Sequence, residues 1–61
     1  MKKMRYVVTD ESLKRPIIWI GSSQNQALTV FREYISRLES PSDILYVHIK
    51  SEIVEVEEDG I

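Results

Sequence analysis

The chain has 61 residues, with eight Lys and Arg against ten Asp and Glu for a net charge of -2, and it has no cysteine. A domain of this length buries only about 60% of the surface that its unfolded form exposes, and without cysteine it has neither disulfides nor thiolate metal sites to staple it. The charge balance offers no general attraction to nucleic acid or anionic lipid. The longest apolar run, Ile17 to Ile20, is far short of the roughly 20 residues that cross a bilayer.

In chain order, Met4 to Thr9 reads as a strand from its β-branched and aromatic content, and Asp10, Glu11 and Ser12 open a polar turn. Pro16 introduces a second strand, Ile17 to Ile20, which Gly21 ends. Proline cannot donate to a central ladder, so this strand is expected at an edge or with its first residue outside the pairing. Ser23-Gln24-Asn25-Gln26 matches a capping box, in which the serine hydroxyl accepts the amide of the third helical residue and the glutamine reaches back. An amphipathic helix is therefore predicted from Ser23 to about Leu38. Its apolar stripe is Ala27, Leu28, Phe31, Tyr34, Ile35 and Leu38. Pro41 disfavours helical geometry at Ser40 and ends it.

Ile44 to Ile49 alternates, placing Leu45, Val47 and Ile49 on one side and Tyr46 and His48 on the other. The parity then breaks near Ser51 and Glu52, where a bulge or tight turn is expected before Val54 and Val56. The whole reads as a single α+β domain, residues 1–61, of ββαββ form, with ββαβ and a bent last strand as the alternative. Residues 52–61 form an acidic end. Phe31, Ile35 and Leu38 are expected to pack on Leu45, Val47 and Ile49, with Phe31 at the centre.

One helix covers one sheet face, and the second strand is apolar on both. Regular alternation sets Ile17 and Trp19 against Ile18 and Ile20, so either arrangement leaves a large apolar pair uncovered. The expected remainder is an exposed patch of Val7, Ile17, Trp19 and Tyr46, with His48 beside Tyr46. A contiguous apolar group that includes a tryptophan marks interaction sites.

Catalysis has little support. His48 is the sole histidine, and the serines lack flanking nucleophile-elbow glycines. No metal-ligand spacing and no phosphate-cradling glycine loop is present, so neither cofactor nor metal is expected. The acidic end invites a docking role for Glu55, Glu57, Glu58 and Asp59 on a basic partner, against the plainer reading that basic and acidic strands lie side by side.

These observations lead to a small non-catalytic protein-interaction module, a homodimer or a modulator of another protein, that binds through a sheet face or edge. Its size is similar to that of small accessory proteins of phages and mobile elements that inhibit a host protein. The alternative is a nucleic-acid binder that stacks bases on Tyr6, Trp19 and Tyr46 beside the amino-terminal basic cluster. A soluble, cytoplasmic chain, complete from Met1, with no membrane partner, is the default expectation.

Overall fold

A computed structural model gives the fold of residues 1–55. The elements are β1 (Lys2–Asp10), β2 (Ile17–Gly21), α1 (Gln24–Ser36), a 3-10 helix (Pro41–Tyr46) and β3 (Val47–Glu55). The strands form one antiparallel sheet in the order β2-β1-β3, which makes β1 central. The chain is thus a small α+β domain of ββαβ form over the described residues.

Ser23 caps α1 as its sequence predicts, its hydroxyl accepting the Gln26 amide at 3.2 Å. The helix lies on one face of the sheet. Val8 of β1 and Ala27 of α1 are fully buried against each other's surroundings, both at 0% exposure, with Val47 of β3 beside them. Tyr6, Ile18, Trp19, Val30, Phe31, Tyr34, Ile35, Leu38 and Ile49 pack around this centre, each half-buried. Small Ala27, rather than Phe31, is the most buried residue of the helix. Leu28, placed on the apolar stripe by its spacing, is exposed, and Val30 is on the packed side instead.

Two expectations for the last strand are corrected. Ile44, Leu45 and Tyr46 belong to the 3-10 helix, so the strand begins at Val47. Pro41 at the first helical position presets φ for a helical turn, the Asp43 amide donates to the Ser40 carbonyl at 3.0 Å, and the segment closes when the Val47 amide donates to Ile44. Leu45 consequently projects away from the core at 76% exposure, and only Val47 and Ile49 of the aliphatic trio pack on it. Nor is there a bulge at Ser51 and Glu52: β3 pairs with β1 in unbroken register from Lys2 opposite Glu55 to Asp10 opposite Val47.

The irregularity lies in β2. Val8 pairs with Trp19 but Thr9 pairs with Ile17, leaving Ile18 as an extra residue. Such a bulge breaks the alternation of side chains, so Ile18 and Trp19 both pack on the helix-side core. Gly21 lies against the indole. A Cβ there would fall 2.5 Å from Trp19 Cη2 and Cζ2, which explains the glycine by close approach rather than by its turn.

Next to the bulge, at the end of β1, buried Asp10 joins three segments. Its Oδ1 accepts the Ser12 hydroxyl at 2.6 Å and the Ser12 amide at 3.0 Å, and its Oδ2 accepts the Tyr34 hydroxyl at 2.5 Å. Its own amide donates to the Pro16 carbonyl at 2.8 Å. The Ser12 and Tyr34 hydroxyls hold the Asp10 carboxyl below its ordinary value of 3.8 in spite of burial. The same contact with Asp10, reinforced by burial, raises the Tyr34 phenol above 10.0.

Gly21→Ala should therefore destabilise the fold by about 1–3 kcal/mol through overpacking on Trp19, read as a lower denaturation midpoint; an unchanged midpoint would show that the indole moves freely. The Asp10–Tyr34 pair sets a pH window. Asp10 contributes stability above its unfolded value of about 4 and loses it as pH falls through the lower folded value, whereas Tyr34 contributes below about 10 and loses it as pH rises through the higher folded value. Tyr34→Phe should flatten both limbs of a stability-against-pH curve, and a curve parallel to that of the unmodified chain would refute the linkage.

Candidate functional site: the open sheet face

The face opposite α1 carries a basin of about 350 Å³. Val7 and Thr9 of β1 line its middle, and Ile17 and Ile20 of β2, with Pro16, line one side. The register sets Val7 between Ile20 and Lys50, and Thr9 between Ile17 and His48. Val7 and Thr9 are buried by these neighbours, while Ile17 and Ile20 remain 55% and 48% exposed. A single helix has no second face to offer, so this apolar surface stays open.

Two ion pairs border it. Arg5 and Glu52, directly opposite on β1 and β3, are joined through the Arg5 Nε donating at 2.8 Å and through a second guanidinium contact. Lys50 Nζ donates to Glu11 Oε1 at 3.2 Å. Both pairs are substantially exposed, so each is worth little to stability. Their consequence is electrostatic: the rim is charged yet balanced, with a cation and an anion at each pair.

Of the residues expected at an interface, Val7 and Ile17 share this basin and the others do not. Trp19 is turned to the helix side by the β2 bulge. Tyr46 ends the 3-10 helix, exposed, its carbonyl accepting the Glu11 amide at 2.9 Å. His48 is exposed on β3 opposite Thr9, beyond the basin wall. Tyr6 also packs on the helix side, so the three aromatics of a stacking platform are not brought together. Glu55 sits opposite Lys2 and 3.5 Å from the terminal ammonium of Met1. Glu57, Glu58 and Asp59 lie outside the described residues.

Sequence reasoning missed Ile20 and Thr9. Regular alternation sets Ile20 against Ile17, and no residue in Ile17-Ile18-Trp19-Ile20 marks the extra position. Pro16 before the strand was the available hint of irregular pairing. Among the described residues, no group of three His, Asp or Glu side chains is placed to hold a metal ion, and no helix is long and apolar enough to cross a membrane.

The Thr9 hydroxyl is buried with no hydrogen-bond partner among the described residues. Thr9→Val keeps the shape and removes this unsatisfied atom, so it should be neutral or stabilise the isolated chain by about 1 kcal/mol; a clear loss in thermal midpoint would show that the hydroxyl is satisfied in solution. Comparisons with family models, curated proteins and solved structures found no match to this chain.

Proposed function

We infer that the chain is a non-catalytic protein-interaction module whose basin receives an apolar segment of a partner protein. The observation that carries this reading is the pairing of an apolar basin, in which exposed Ile17 and Ile20 flank buried Val7, with a charge-balanced rim. Contiguous exposed apolar groups are characteristic of interaction sites. A rim whose cations are already matched by carboxylates favours the neutral, mixed surface of a protein over a polyphosphate backbone, which requires a net excess of Lys and Arg. The segment would seat one or more aliphatic side chains between Ile17 and Ile20, with its polar groups meeting the two ion pairs.

Ile20→Glu tests the reading, because Ile20 is half exposed and the change should alter stability by only about 0.5 kcal/mol. In parallel affinity captures from the native cell, a protein held by the unmodified chain should be lost on Ile20→Glu, while the circular dichroism of the two chains stays alike. Equal retention by both would overturn the basin as the docking surface.

A further inference from the structure

We propose that the outer edge of β3 is a self-association surface, on which a second copy of this chain adds its own β3 antiparallel about a two-fold axis at Ser51. This contact runs along the strand edge and shares with the basin only the rim residues Lys50 and Glu52; it does not require the basin to be occupied.

β3 is paired with β1 along one side through all nine of its residues, and its other side carries no neighbour in the sheet among the described residues. Exposed edges are blunted by proline, bulges, a short strand or charged side chains. The opposite edge, β2, has the first three: it is five residues long, follows Pro16 and contains the bulge. β3 carries only charges, and its Lys50 and Glu52 are of opposite sign. It is long and in regular register, as an edge meant to pair would be.

The side chains of β3 are self-complementary in one register. Residues opposite one another in an antiparallel pair share a face. With Ser51 on the axis, Lys50 of each copy stands opposite Glu52 of the other on the open face, and Ile49 stands opposite Ile53 on the helix side. Ile53 is 66% exposed, because α1 does not reach it. The pairing gives it an aliphatic neighbour, and Lys50 and Glu52 retain exposed surface beside their internal partners Glu11 and Arg5. Neighbouring registers are worse: an axis at Lys50 or at Glu52 sets like charges face to face, which is destabilising, and an axis further along pairs fewer residues. The product is a six-stranded sheet in the order β2-β1-β3-β3-β1-β2, with both helices on one face and both basins on the other.

Charge exchange and cross-linking test this register. The unmodified chain should sediment at twice the monomer mass. Lys50→Glu and Glu52→Lys each set like charges opposite across the axis and should each sediment as monomers. An equimolar mixture of the two restores both opposite-charge contacts and should return the doubled mass, an outcome that simple unfolding of either variant cannot produce. Because Glu52→Lys also faces Arg5, a second measurement that leaves every charge in place is needed. Opposed Cα atoms in an antiparallel pair are about 4.5–5.5 Å apart, within disulfide reach, so Ser51→Cys should oxidise to a covalent dimer. Ile53→Cys should not, since its two copies would stand roughly 13 Å apart. Monomeric sedimentation of the unmodified chain, dimers undisturbed by either charge change, or equal cross-linking at the two cysteine positions would each overturn the proposal.

Discussion

Ile18 has no partner of its own on β1, and because the bulge around it interrupts the alternation, both it and Trp19 turn to the helix while Ile17 and Ile20 line the opposite face. Most of what distinguishes this molecule depends on that one extra residue. With regular pairing, the helix side would receive either Trp19 with Ile17 or Ile18 with Ile20, never Ile18 and Trp19 together. The bulge places Ile18 beside the indole in a small core, which is valuable in a chain that can bury so little. Gly21 then has to remain without a side chain, since the indole occupies the space that a Cβ would take. The open face is left with Ile17 and Ile20, which give the basin its aliphatic lining.

The Asp10 carboxylate complements this at the end of β1, one residue beyond Thr9. Three hydrogen bonds reach it from the turn after β1 and from the last part of α1. A buried carboxylate without donors would be costly, but here each oxygen has a donor, and the carboxylate in turn fixes where the helix lies. The bond from Tyr34 joins residues 24 positions apart. The adjacent bond from the Glu11 amide to the Tyr46 carbonyl brings the 3-10 helix to the same corner. Hydrophobic burial at Val8, Ala27 and Val47 carries no orientation of its own, and the polar corner supplies it.

Charge follows the same economy. The basic start and the acidic later part of the chain lie on neighbouring strands, with Lys2 opposite Glu55 and Arg5 opposite Glu52. Over the described residues this accounts for the uneven charge distribution in structural terms. It also leaves the rim of the basin balanced, and it leaves β3 with alternating Lys50 and Glu52 at an unpaired edge. One arrangement of charges thus serves cross-strand pairing within the chain and bears on what the chain can meet outside it.

The sequence alone determined the elements whose cause is local. The helix start at Ser23 is legible because a capping serine acts on an amide three residues away, and the α+β class is legible because one helical stripe lies between strand patterns. Alternation within β1, which is regular, sets Val7 against Tyr6 and Val8 but does not say which of those faces meets the helix. Tertiary structure decided the rest. No residue type announces the bulge, so the faces of Ile18, Trp19 and Ile20 were set by how β2 must pair with β1 while fitting the indole over Gly21. Leu45 and Tyr46 carry strand-like side chains, but Pro41 begins a helical turn upstream, and the contact of Tyr46 with Glu11 is made across the fold. Periodicity within one segment can state which residues share a face; only the pairing of that segment with its neighbours states which face it is and where the period fails.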